Sequence, residues 1–182
     1  MKWRDVWGNA MAVLRARWYL RQAQIGPRAR VWGRPVIRNW GVMRFGQRLR
    51  LVSTVARCEL VSGAEGRLEV GDGVFINYGC SISANQLVRI GHRCSIGTHV
   101  IIMDNDFHQI DPQRRDERPA SAPIVLEENV WLGARVIVLK GVTIGHDSTV
   151  GAGSVVTRDL PPRCVAAGVP ARVIRQLDEE LG

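Results

Sequence analysis

"LEENVWLGARVIVLKGVTIGHDSTVGAGSVVTRDLP", Leu126 to Pro161, divides into six blocks of six residues. The blocks open on Leu126, Leu132, Val138, Ile144, Val150 and Val156, and their fifth positions are Val130, Val136, Val142, Ser148, Ser154 and Leu160. An aliphatic residue at every sixth position suits neither the 3.6-residue turn of a helix nor the alternation of a two-faced sheet. It fits very short parallel strands joined by tight corners, each coil stacking on the last. First positions then fill the interior, with small or β-branched fifth positions beside them. Glycines such as Gly91, Gly97, Gly145 and Gly151 supply corners where a side chain is awkward.

Upstream the rhythm continues from Val70, Ile76 and Ile82 and, after a two-residue slip, from Ile90, Ile96 and Ile102. Cys80 and Cys94 fall at fifth positions, so they read as core thiols rather than reactive ones. The expected fold is mainly β: a parallel β-helix over residues 26–165. The beat stops at "MDNDFHQIDP", Met103 to Pro112, and acids, arginines and prolines follow. Residues 103–123 are therefore expected to leave the stack as a projecting loop, with His108 near its start.

The flanks follow other rules. Trp3, Trp7, Ala10, Met11, Leu14 and Trp18 recur at spacings of three and four, with Lys2, Arg4, Arg15 and Arg21 largely elsewhere. That pattern predicts an amphipathic helix over residues 1–25, ended by Gly26-Pro27. Residues 28–68 show no clean register and read as irregular opening coils. The tail, 166–182, with Asp178, Glu179 and Glu180, reads as a short helix or a frayed end.

With 182 residues and 46% hydrophobic content, the chain is long enough for one domain with a substantial core. No apolar run approaches the roughly 18 residues of a membrane span, and Arg4, Asp5, Arg15, Arg17 and Arg21 break up any secretory leader. Four cysteines (Cys58, Cys80, Cys94, Cys164) without Cys-x-x-Cys spacing favour a reducing cytoplasm. The net charge of +8 is lopsided: residues 1–60 hold thirteen Lys or Arg against Asp5 and Glu59, an excess of +11. An acidic neighbour such as an anionic lipid surface fits that excess, as does a merely solvated basic face. Nucleic acid is not expected, because no recognised binding motif accompanies the charge.

The run "NVWLGARVIVLKGVTIGHDSTVGAGSVVTRDLPPRCVAAGVPARVIR", Asn129 to Arg175, resembles the end of the hexapeptide-repeat acyltransferases. It looks most like galactoside and maltose O-acetyltransferases and the acetyltransferases of bacterial polysaccharide pathways. The resemblance covers roughly residues 70–175 and lies in "NVWLG", "GAGSVVTRD", "AAGVPARVIR" and the histidine loop rather than in the hexads alone. It implies a left-handed β-helix, a homotrimer with active sites between subunits, and acetyl-CoA as acyl donor, with no metal.

By that resemblance His108 is the general base. Imidazole suits this role, because a sugar hydroxyl is a poor nucleophile until its proton is removed, and histidine accepts a proton near neutral pH. Asp104 and Asp106 are candidates to orient the imidazole and are grouped with Asn77, of "FINYG", on the acceptor side. Trp131 matches a tryptophan walling the acetyl end of the donor. Gly133 and Ala134 follow it, where a backbone N–H is expected to stabilise the oxyanion. Ala134, Ala152 and Thr157 match positions along the pantetheine arm, and Arg158 and Arg175 match basic positions near the coenzyme phosphates. Each has a blander reading: Asn77 as a corner residue, Trp131 as a coil-to-coil contact, the arginines as surface charge. No Gly-x-Ser-x-Gly elbow is present, so direct transfer without an acyl-enzyme is the simpler scheme.

The sugar-specific N-terminal region of the galactoside and maltose enzymes is not recognisable in residues 1–60, so their acceptor is not carried over. The basic, Trp-rich helix suggests instead a saccharide or lipid-linked sugar acceptor in envelope or polysaccharide synthesis, met in the cytoplasm at the inner face of an anionic membrane. The same stripe packed against the β-helix as an end cap is the competing reading. Two rival functions share the fold: a carbonic anhydrase-like metalloenzyme, which needs three histidines converging on zinc, and a non-catalytic scaffold docked by its basic helix. The spacing of His92 and His99 does not suit the first, and retention of the loop histidine with "NVWLG" and "GVPARVIR" argues against the second.

Overall fold

The computed structural model describes the backbone of residues 3–177 and the side chains from Asn9 onward. The Trp3 and Trp7 side chains of the expected stripe, Lys2, and Asp178 to Glu180 of the tail lie outside it. The chain forms a parallel β-helix of about seven turns, with one helix near its N-terminus. Its strands lie on three faces of six, eight and six strands. The first face runs from Gln24–Ile25 to Thr143–Ile144, the second from Arg30–Gly33 to Ala171–Gln176, and the third from Val36–Asn39 to Val155–Val156.

The hexad reading is visible directly in the packing. Leu126, Leu132, Val138, Ile144, Val150 and Val156 are all fully buried, and their fifth-position partners line the same interior. Cys58, Cys80, Cys94 and Cys164 are buried as well, and burial pushes the Cys94 thiol up to about 11. Each coil hydrogen-bonds to the next in register, as in Ile96 to Leu132 and Leu132 to Val150.

Three flanking expectations are corrected. Residues 28–68 are not irregular: they form regular four-residue strands, such as Arg50–Ser53 and Glu59–Ser62, stacked in parallel. The tail is not a helix. Cys164–Gly168 and Ala171–Gln176 form an antiparallel pair, the sole antiparallel pairing among the described residues, which closes the second face. The N-terminal helix spans Trp3–Tyr19 rather than reaching Gly26, because Gln24–Ile25 already belongs to the first face.

The helix also presents a different side to the core from the one its large residues suggest. Ala12, Ala16 and Leu20 are buried, at i, i+4 and i+8, and Ala16 and Leu20 join the core beside Ala29 and Val31. Ala10, Met11, Leu14 and Trp18 remain exposed. Alanines let the helix axis approach the backbone of the first coil, where tryptophan would hold it away. So the helix does cap the β-helix, but with its small-residue stripe.

Corners repeat as strictly as the core. At the corner between the first and second faces, Arg28, Arg48, Gly73, Arg93, Asn129, Asp147 and Arg163 all have φ between 55° and 70°. Each after Arg28 is tied to the previous coil by a backbone bond, as from Arg48 N–H to Pro27 O at 2.8 Å and from Arg93 N–H to Asp72 O at 2.8 Å.

Candidate active site

The histidine loop leaves the stack between the third-face strand Ile101–Met103 and the first-face strand Ile124–Leu126. Asp104 roots it. This side chain is fully buried, and its carboxylate accepts the N–H groups of Asn85, Gln86 and Leu87 at 2.7–2.8 Å. A buried carboxylate requires such partners, so Asp104 is a strut of the corner and has no face left for imidazole or acceptor. Asp106 is committed elsewhere too: it pairs with Lys140 Nζ at 2.6 Å. Lys140 also donates to Ala120 O at 3.0 Å, and Asp104 O accepts from Ala122 N–H at 3.0 Å. Entry and exit of the loop are thus clamped together at one corner.

His108 is exposed at the tip of a tight local fold. Phe107 holds φ at 60°, a conformation costing roughly 1–2 kcal/mol for a non-glycine residue. Asn105 Oδ1 accepts the Phe107 N–H at 3.2 Å, and His108 N–H donates to Asp106 O at 2.7 Å. The imidazole partner is neither aspartate: Nδ1 lies 3.2 Å from Arg115 O. A carbonyl oxygen can only accept, so in the neutral ring this bond favours the tautomer with its proton on Nδ1 and its lone pair on Nε2. That is the tautomer a general base needs. Sequence reasoning missed Arg115 because a main-chain carbonyl carries no residue-type signal, and missed Lys140 because it reads as an outward-facing third position of its hexad.

Beside the loop opens a cleft of about 650 Å³ lined by Trp40, Ser83, Asn85, Asn105, Phe107 and Arg118 among others. Trp40 and Phe107 are exposed. Two aromatic surfaces with amides and a hydroxyl between them suit a polyhydroxylated ligand. Neither Trp40 nor Asn85 stood out in the sequence: Trp40 lies in the 28–68 stretch where the hexad register is lost, and Asn85 is an unremarkable fourth position of the hexad that opens on Ile82.

Most of the other expected residues gather around the second face and its downstream corner. Asn77, Gly97, Gly133 and Gly151 stack there, each donating its N–H to the next coil. Asn77 is half-buried, and its Oδ1 accepts the Tyr78 N–H at 2.9 Å. Gly133 is too close to the next coil for a side chain: an added Cβ would sit 2.7 Å from Ala152 N. Its N–H is consumed by Val150 O at 2.8 Å, so of the two expected oxyanion donors only Ala134 has an N–H without a partner among the described residues. Trp131 is exposed and stands in a column of paired positions that reaches it through Phe75 and Ser95 and continues through Thr149 and Val165 to Arg175. Ala152 is exposed beside them. Thr157 and Arg158 are exposed at the other end of the third face, on the loop's side of the coil. A single chain therefore places Asn77, Trp131, Ala134, Ala152 and Arg175 on successive coils along the second face and its downstream corner, and holds His108, Thr157 and Arg158 one face away.

No group of three or more His, Cys, Asp or Glu poised for a metal occurs among the described residues, nor is any described helix long and apolar enough to cross a membrane.

These features fit known proteins. Residues 123–158 match a family model for the bacterial transferase hexapeptide, six repeats. A putative acetyltransferase of Saccharomyces cerevisiae is 39% identical over 136 residues, spanning 67% of this chain and 69% of that one. The chain belongs to the hexapeptide-repeat acetyltransferases. Galactoside O-acetyltransferase of Escherichia coli is 38% identical over 112 residues, 62% of this chain and 55% of that enzyme, so the chain spans about half the length of the first relatives it matches. Among solved structures, a hexapeptide-repeat acetyltransferase of Vibrio cholerae complexed with acetyl coenzyme A superposes with a TM-score of 0.58 at 29% identity, covering 79% of this chain and 72% of that one.

Proposed function

We propose that this protein transfers an acetyl group from acetyl-CoA to a hydroxyl of a saccharide, with His108 as general base. The observation that carries the reading is the Nδ1 contact to Arg115 O, which leaves Nε2 free in an exposed loop beside an aromatic, amide-lined cleft. Nε2 takes the hydroxyl proton as the oxygen attacks the thioester carbonyl, and the Ala134 N–H receives the developing oxyanion; collapse of that intermediate then breaks the C–S bond, and coenzyme A leaves as the thiol with the proton handed back from Nε2. Relatives named as galactoside O-acetyltransferases and a neighbour holding acetyl coenzyme A support the donor and the acceptor class. Trp131, Ala134, Ala152 and Arg175 form the donor side: small residues where the arm must lie close, a tryptophan at the acyl end, a cation toward the phosphates.

Because His108 and this donor wall sit one face apart, the complete site is assigned to two copies, the loop of one meeting the Trp131 corner of the next, and three such contacts close a homotrimer. Thr157 and Arg158 then belong to the loop side of the groove. Asn77 is read as an acceptor ligand through its side-chain NH₂.

The acceptor is assigned to bacterial polysaccharide or envelope synthesis, carried on a lipid at the cytoplasmic face of an anionic membrane. Met11, Leu14 and Trp18 are exposed on the capping helix with Arg15, Arg17 and Arg21 around them. Aromatic and aliphatic side chains ringed by arginine suit the headgroup region of such a membrane. Free-thiol release from acetyl-CoA across a panel of sugars, sugar nucleotides and lipid-linked sugars tests the reaction, and light scattering tests the assembly. Acceptor-dependent release from a trimer is expected. A full-rate monomer, or no release with any acceptor, would overturn the scheme.

A further inference from the structure

A second feature lies away from the loop, at the corner between the first and second faces of the opening coils. Arg28 and Arg48 occupy its left-handed position on consecutive coils, with φ of 60° and 56°. Arg30 and Arg50, two residues on, pair across the same two coils on the second face. Together with Arg93 they line a groove of about 570 Å³. In the C-terminal coils the same left-handed position falls to Asn129, Asp147 and Arg163. Asparagine and aspartate tolerate it better than arginine does, so the corner by itself does not call for arginine on both opening coils.

Nor is the charge neutralised. Arg93 pairs with Glu128, but Arg28, Arg30, Arg48 and Arg50 have no carboxylate within ion-pair distance among the described residues. Arg50 stacks over the Phe75 ring at 5.0 Å, which fixes its plane. Arg30 Nε is buried without a hydrogen-bond partner, a costly state unless something accepts from it. The lone acid in the groove wall, Asp72, already takes both the N–H and the side-chain amide of Gln47, at 2.8 and 3.0 Å, and His92 Nδ1 accepts the Asp72 N–H at 3.0 Å. Four guanidiniums thus face a single acid, Asp72, whose carboxylate is already bonded to Gln47 and is further favoured in its charged form by His92 and Arg48.

We infer that this groove binds a diphosphate ester, with the Arg28/Arg30 pair and the Arg48/Arg50 pair each holding one phosphate. Stacked strands repeat at about 4.8 Å, a step that brings two forks of donors against neighbouring phosphates of one ligand. Guanidinium grips phosphate oxygens two at a time. The ligand chemistry is a diphosphate whichever carrier brings it, a nucleoside or a lipid. The donor wall lies on the late coils and the next corner, so the groove is separate from the residues assigned to coenzyme A.

The test uses the full chain and inorganic pyrophosphate, followed by calorimetry at low and moderate salt. Saturable binding is expected, about tenfold or more tighter than orthophosphate, and R48Q/R50Q should weaken it by at least about tenfold while leaving coenzyme A binding and molecular mass unchanged. A nucleoside diphosphate that displaces pyrophosphate identifies the soluble carrier. Phosphatidylglycerol vesicles bearing a diphosphate lipid that displace it, where plain phosphatidylglycerol vesicles do not, identify the lipid carrier. Equal affinity for orthophosphate, pyrophosphate binding untouched by R48Q/R50Q, loss of coenzyme A with it, or a fall in mass of the variant would each overturn the assignment, the last by making the groove a contact between copies. Pyrophosphate binding needs no turnover, so this groove and the acetyl-transfer reading fail independently.

Discussion

The two ends of the β-helix are built by the same stacking and differ in how much each coil carries. Between Val125 and Thr143, paired on the first face, lie three hexads, and the strands are two residues long or little more. At the other end Gln24 pairs with Arg44, and Arg44 with Glu69, in strands of up to four residues. The longer coils put more outward positions on each face and fill many of them with arginine. The short coils offer alanine, glycine and a single tryptophan at the corner where the donor is assigned. Core geometry is thus shared, whereas surface chemistry is divided: close approach at one end, charge at the other.

The strongest way to break that division is at the histidine. His108→Ala should lower turnover by about 10²–10⁴-fold with acetyl-CoA affinity unchanged, measured by thiol release and calorimetry; a variant with near wild-type turnover ends the base assignment. Stability should not respect the division at all. Leu51→Ala in the long coils and Leu132→Ala in the short ones remove equally buried side chains, and each should cost about 2–5 kcal/mol in urea unfolding. A Leu51 variant costing well under 1 kcal/mol would show that the opening coils are the looser end.

Smaller effects sharpen the picture. Lys140→Met unclamps the loop without touching the imidazole, so turnover should fall by roughly ten- to a hundredfold through misplacement, while the midpoint of thermal unfolding barely moves. Smallest is the pH response. Asp147 is held below the usual carboxylate range by the bond from Asn129 and then by His146, and Asp72 by the two bonds from Gln47. Both folded-state values are depressed, so their contribution is present above the unfolded value near 4 and is lost as pH falls through the lower folded value. Urea midpoints should hold from neutrality to about pH 5 and decline below about pH 4, and Asp147→Asn should make that decline slightly shallower.

Where the repeat is a bare hexad, the sequence can be read nearly atom for atom: Leu126 to Leu160 predict their own burial because six residues make one side of the coil. Over residues 28–68 extra residues enter each coil, the count slips, and Leu51 or Leu60 can no longer be placed by arithmetic although they are as deeply buried as Ile144. The helix misled for another reason. Trp18 and Leu14 make the larger apolar stripe, but contact with a flat coil end rewards the small stripe of Ala12 and Ala16. In the loop, His108 was visible and its partner was not, since Asp104 and Asp106 advertise themselves in sequence and the Arg115 carbonyl does not.

The reversed strand Ala171–Gln176 has a consequence for solubility. Parallel coils present, at each end, a row of amide and carbonyl groups that another copy could continue, and a stack of identical layers has no intrinsic stopping point. On the second face the chain lays its own strand across that row in the opposite sense, so an incoming parallel coil meets a mismatched edge there. At the opposite end the capping helix occupies the ground an incoming coil would need. The same repeat that makes the fold easy to extend is thereby kept from extending into a fibre.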